Sequence, residues 1–171
     1  MLPRKTPRRK CRDYEREWNG FCVDRNLEDE WLERLNGLEA FSLISICEGH
    51  CDRGTEPSRT SPHVKLRLRE NRLPGIASRW DEHKMAIVSE VNRLFQAGDT
   101  YVNLELKFKL RSQAGRLNYQ EDLIVRVHSR QARFSEEMGA ETRNWFQRSV
   151  SRIEELDSQM ARLWDGAHPG A

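Results

Sequence analysis

The chain has 171 residues, of which 37% are apolar and 33% charged, enough for one domain with a real hydrophobic core. No apolar run reaches the ~18 residues that a membrane-spanning helix needs, and the opening MLPRKTPRRKCR has no apolar stretch like that of a signal peptide. A membrane span is thereby excluded, and the expectation is a cytoplasmic protein with reduced thiols, in which four cysteines are weak grounds for a disulfide framework.

The net charge of +2 is unevenly spread. Residues 1–12 carry Arg4, Lys5, Arg8, Arg9, Lys10 and Arg12 and no acid; taking those six charges from +2 leaves the rest of the chain at −4. Residues 1–16 read as a flexible basic arm, 17–165 as a single α+β domain and 166–171 as a tail. Residues 1–12 are suited to nucleic acid or another anionic partner.

Trp18, Phe21 and Cys22 mark where the chain first packs. Asn26 reads as an N-cap, followed by Glu28, Asp29 and Glu30 where a helix dipole favours acids. Leu27, Trp31, Leu32 and Leu35 keep helical spacing up to the stop at Asn36-Gly37. A strand follows over 40–47. A second runs from His63 to Arg69, with Val64, Leu66 and Leu68 on one face and His63, Lys65, Arg67 and Arg69 on the other. The next helix, about 78–96, has Trp80, Met85, Val88, Val91 and Phe95 as its apolar side. Alternation returns from Tyr101 to Leu110 and, after the turn SQAGRLN, from Leu123 to His128. The last helix, about 135–164, buries Trp145, Phe146, Val150, Ile153, Leu156, Met160 and Leu163.

The order α-β-β-α-β-β-α implies a two-layer α+β fold: a four-stranded, mostly antiparallel sheet of two hairpins with helices on one face. No Rossmann or Walker-A glycine pattern is present.

The first hairpin holds the candidate site. Its strand ends in Cys47-Glu48-Gly49-His50-Cys51, and the loop to Pro62 is much longer than the ~2–5 residues a compact hairpin needs. Gly49 permits a sharp turn. Cys47 would share the polar sheet face with His63, Lys65 and Arg67, joined by Arg126 and His128 if the strand order allows. Phe41 and Leu43 fall on that same side by simple alternation. Glu105 is positioned to pair with Lys65 or Arg126 across strands.

Three chemistries fit. Cys47 or Cys51, activated by His50 or His63, would make a nucleophile, with Glu48 as general acid or base and His50 as proton carrier. Cys47, His50, Cys51 and His63 offer zinc its preferred ligand types, although not in paired spacing. Arg53, Ser58, Arg59, Thr60, Ser61, Lys65 and Arg67 supply the charge and hydroxyl donors that bind phosphate. The functional expectation is a ligand-binding or catalytic site for a phosphate-bearing or nucleotide ligand, with Cys47, Glu48 and His50 as catalytic candidates and Arg53, Arg59, His63, Lys65, Arg67, Arg126 and His128 as ligand-binding ones. The alternative is a non-enzymatic adaptor or nucleic-acid-associated protein using the basic arm and the last helix, with Trp145 and Trp164 offered to a partner.

The strand ending in Cys-Glu-Gly-His, with its loop and the returning Ser-Pro-His-Val-Lys-Leu, resembles small uncharacterised bacterial proteins with the same turn, over about residues 27–69. Ile46-Cys47-Glu48-Gly49-His50 also distantly resembles the Ser-Cys-Ser-Gly-Arg turn of the tRNA wybutosine-synthesis methyltransferase family, agreeing at Cys47 and Gly49. That second likeness implies an RNA-modifying enzyme using S-adenosylmethionine; the first implies the position of a site and no particular reaction.

Overall fold

The computed structural model describes residues 11–49, 61–69, 80–96, 98–113, 116–130 and 138–167. In chain order its elements are β1 (Glu15–Trp18), β2 (Phe21–Asp24), α1 (Asp29–Asn36), β3 (Phe41–Cys47), β4 (His63–Leu68), α2 (Trp80–Leu94), β5 (Thr100–Gln113), β6 (Arg116–Ser129) and α3 (Ala140–Ala167). The α+β class and the order from α1 to α3 are as the patterning implies. The strands β3, β4, β6 and β5 form the four-stranded antiparallel sheet in that spatial order.

The hairpin β1–β2 is an addition to the expected order. Its signal was Asn19-Gly20, whose positive φ angles of 46° and 83° suit a two-residue hairpin turn. The surrounding Glu15-Arg-Glu-Trp18 is too charged to read as a strand by hydrophobic alternation. Strand β1 thus begins inside the segment 1–16 read as an arm, whose residues 1–10 lie outside the described residues. The hairpin also returns Cys22 to Cys11, and the two form a disulfide. The expectation of uniformly reduced thiols is corrected accordingly. Phe21, expected to pack, is 66% exposed, whereas Trp18 does pack against the core.

One face of the sheet carries Phe41, Ile46, Val64, Leu66, Leu68, Leu123, Val125 and Val127, which cluster with buried side chains from all three described helices. Helix α1 contributes Trp31, Leu32 and Leu35. It starts without a side-chain cap at Glu28; Asn26 is occupied elsewhere, donating to Glu48. In α2 the buried stripe is Ile87, Val91, Leu94 and Phe95, while Met85 and Val88 face outward at 69% and 38% exposure. The true stripe keeps the i, i+4, i+7, i+8 spacing, and Met85 and Val88 lie off it.

Helix α3 is the spine. Trp145, Phe146, Val150, Ile153, Leu156 and Met160 are buried along one side, and Trp31 stacks on Phe146 at 5.2 Å between ring centroids. On the same side Asp157 accepts hydrogen bonds from the backbone N–H groups of Glu39, Ala40 and Phe41 at 2.8, 2.9 and 3.0 Å. A buried carboxylate thus satisfies three backbone N–H groups of the chain entering β3. Trp145 is 2% exposed and donates to Thr100 Oγ1, so it is a core residue and not a partner surface.

A β-bulge between Leu43 and Ser45 decides the faces of β3. Phe41 and Leu43 pair with Leu68 and Leu66, Ser45 with Lys65, and Cys47 with His63. The extra residue, Ile44, reverses the alternation and is 38% exposed. Phe41 and Leu43 therefore join the core, and Ser45 and Cys47 fall on the polar face.

Candidate functional site

The polar face is ordered in lateral rows. Cα pairing across β3, β4, β6 and β5 aligns Cys47, His63, His128 and Tyr101 in one row and Ser45, Lys65, Arg126 and Asn103 in the next. A third row holds Ser42, Arg67, Ile124 and Glu105. Residues of successive rows on this face are two positions apart along each strand, ~7 Å. Five expected ligand-binding residues, His63, Lys65, Arg67, Arg126 and His128, thus share one surface of two central strands. Arg53 and Arg59 lie outside the described residues, as do His50 and Cys51.

The first row is aromatic. The rings of Tyr101 and His128 are parallel within 2° and 4.7 Å apart, and His63 lies 5.4 Å from His128. His63 Nδ1 is 3.2 Å from the carbonyl oxygen of Ser61, a contact that needs the proton on Nδ1. Burial lowers the pKa of His63, and the charges of Arg126 and Lys65 lower it further, outweighing the Ser61 carbonyl. Burial also lowers that of His128, helped by His63 and Arg126.

The second and third rows are cationic. Lys65 has a lowered pKa through burial, then through the charges of Arg126, Lys107 and Arg67, against which Glu105 is the counterweight. Arg126 pairs with Glu105 at 3.0 Å, the cross-strand pair expected from the sequence, and Glu105 also takes Lys107 at 3.4 Å. The Nε groups of Arg67 and Arg126 and Nε2 of His128 are buried without a hydrogen-bond partner among the described residues. Buried guanidinium N–H groups normally have acceptors. Ile124, the one apolar member of the third row, is 2% exposed, while Ser42, Arg67 and Glu105 beside it are part-exposed.

Of the expected catalytic residues, Cys47 and Glu48 are described and His50 is not. The Cys47 thiol is pushed up to about 12, first by burial and then by the charge of Asp24, against a weaker pull from the Gly49 N–H. That N–H donates to Sγ at 3.4 Å. Catalytic cysteines are made thiolate by neighbouring cations or helix N-termini, and here an acid takes that place. Glu48 is 4% exposed; its backbone N–H donates to Asp24 Oδ2 at 2.8 Å and its Oε1 accepts from Asn26 Nδ2 at 3.1 Å. Gly49, at φ 76°, makes the sharp turn expected of it. These bonds pin the end of β3 to the β1–β2 hairpin, a structural task for Glu48. Asp24 was not singled out in the sequence and Asn26 was read only as an N-cap, because their bonds to Glu48 depend on a hairpin that charge patterning hides.

Of the expected zinc ligands Cys47, His50, Cys51 and His63, only Cys47 and His63 are among the described residues. Among the described residues, the His, Cys, Asp and Glu ligand atoms that lie within 4.8 Å of one another are those of Cys11, Glu15 and Cys22. No described helix is long and apolar enough to cross a membrane. Comparison with protein-family models, curated proteins and solved structures finds no match to this chain.

Proposed function

We infer that the polar face of the sheet binds a phosphate-bearing ligand, and that a nucleotide fits it best. The observation that carries this reading is the placement of Lys65, Arg67 and Arg126 in adjoining rows of one face, where burial and the neighbouring cations lower the pKa of Lys65. Crowding cations in partly dehydrated ground is unfavourable, and a bound anion reverses the sign of that interaction. Phosphate oxygens meet guanidinium forks in bidentate geometry, which suits the arginines.

The neighbouring aromatic row adds a place for a base. Tyr101 is 37% exposed at the sheet edge and already stacked on His128, so a base laid on its open face continues the stack. The ~7 Å between aromatic and cationic rows is a span that a sugar bridges. The chemistry is recognition and positioning, since burial and the charge of Asp24 raise the pKa of the Cys47 thiol.

The test is calorimetric titration of the full chain with inorganic pyrophosphate, adenosine and adenosine monophosphate. The nucleotide should bind saturably and more tightly than adenosine, with affinity falling as salt is raised. Arg67→Met should weaken nucleotide binding about tenfold or more, the loss of one charge-assisted hydrogen bond. Saturable binding of none of the three, or unchanged nucleotide affinity in Arg67→Met, would remove this reading.

A further inference from the structure

Away from the sheet, the N-terminal segment carries a second group of chemistry-bearing side chains. Cys11, Glu15 and Cys22 are each partly buried and present their ligand atoms within 4.8 Å of one another. Cys22 sits in β2, opposite Glu17 in the hairpin register. Residues 12–15 form a tight turn, in which Glu15 N–H donates to Arg12 O at 2.9 Å and Glu15 Oε2 accepts from Arg12 N–H at 2.8 Å. That turn folds Cys11 back onto the hairpin, where it meets Cys22 across a Cα separation of 5.4 Å.

We propose that this group is a redox-gated zinc site: a disulfide when oxidised, and a Cys11–Glu15–Cys22 zinc centre when reduced. Two thiolates and a carboxylate are all zinc ligand types, and three protein ligands plus water complete a tetrahedron. Zinc–sulfur bonds of ~2.3 Å place two thiolates ~3.8 Å apart in that geometry, so the sulfurs part only modestly when the disulfide opens. Glu15 Oε2 accepts from Arg12 N–H at 2.8 Å, a bond within the turn that holds the carboxylate beside the two sulfurs.

The steps balance. A dithiol reductant supplies two electrons and two protons, giving two thiols and its own disulfide. Zn2+ displaces both thiol protons on binding. A small-molecule disulfide reverses the change: one thiolate attacks it, releasing a small thiolate, and the second thiolate displaces the other, leaving Cys11–Cys22 bonded and Zn2+ free. In both states the segment at Cys11 stays clamped to the hairpin, by sulfur in one and by metal in the other.

The experiment titrates Zn2+ into the full chain, with and without a metal-compatible phosphine reductant, against a chromophoric chelator. Reduced protein should bind one Zn2+ per chain, and oxidised protein should bind at least about a hundredfold more weakly. Glu15→Gln, which keeps an oxygen for Arg12 N–H, should weaken zinc about tenfold or more, as even outer-shell changes do. In the wild-type protein, zinc should shield Cys11 and Cys22 from alkylation, read by mass spectrometry, without reliance on any variant folding. The Cys47→Ser, Cys51→Ser double variant should bind zinc as the wild type does. No zinc bound by the reduced chain, or protection falling on Cys47 and Cys51 instead, overturns the proposal.

Discussion

If the polar face is built to receive an anion, removing one of its cations should cost binding while relieving the empty protein. Lys65→Met is the sharpest form of this test. Lys65 pairs with Arg126 in the strand register and is destabilised in its charged form by burial and by Arg126, Lys107 and Arg67. Two unit charges ~6 Å apart repel by ~0.7 kcal/mol at the dielectric of water and ~2.8 kcal/mol at an effective 20. The face is partly open, so solvent screening brings the figure to the lower end, ~0.5–1 kcal/mol. Methionine keeps the length and apolar stem of the side chain. The variant should therefore melt ~1–4 °C higher than the wild type without ligand, given ~2–4 °C per kcal/mol at this size. With saturating pyrophosphate the order should reverse, since each charge-assisted hydrogen bond to the ligand contributes ~1.5–3 kcal/mol. Thermal melts of both proteins, with and without pyrophosphate, read the two effects in one assay. A variant that melts lower without ligand and gains the same ligand-induced shift as wild type would refute the reasoning.

Other consequences are independent of the ligand. Asp157→Ala leaves the Glu39, Ala40 and Phe41 N–H groups without their acceptor and should destabilise by ~3–5 kcal/mol in urea denaturation, with Asp157→Asn retaining part of the loss. His63 and His128 have folded pKa values below the ordinary imidazole value, so the unfolded chain takes up their protons first as pH falls. Their contribution is intact above about 6.5 and declines as pH drops below it; replacing both with Gln should flatten the stability profile there. Sulfate, a dianion throughout that window, should bind more tightly as pH falls and the two rings protonate. Reducing Cys11–Cys22, separated by 11 residues, should lower stability by ~3 kcal/mol in the absence of zinc.

Much of the fold was legible because strands and helices announce their periods. The alternation of β4 gave both its faces, and the stripe of α3 gave the spine of the core. Three features were not legible, each for a physical reason. A β-bulge such as that at Ile44 is an excess of one residue, visible only once a partner strand supplies the register. The β1–β2 hairpin draws its signal from Asn19-Gly20 and the Cys11–Cys22 link, and its charged β1 buries nothing fully. Strand order is a tertiary choice: placing β6 rather than β5 beside β4 is what brings Arg126 and His128 to Lys65 and His63. The polar face was therefore readable as a set of residues, while its rows were not. The turn at Cys47 was readable as a landmark, but its chemistry depended on Asp24, which arrives from a hairpin that only the folded chain reveals.

The central claim, that this face holds a nucleotide phosphate beside an aromatic row, is tested most directly by following the histidine ring resonances during titration with adenosine monophosphate. The account predicts saturable shifts of His63 and His128 with one dissociation constant, and a rise in both ring pKa values in the bound form. Rings of His63 and His128 that stay unmoved while calorimetry reports binding would contradict it, because the ligand would then sit elsewhere on the protein.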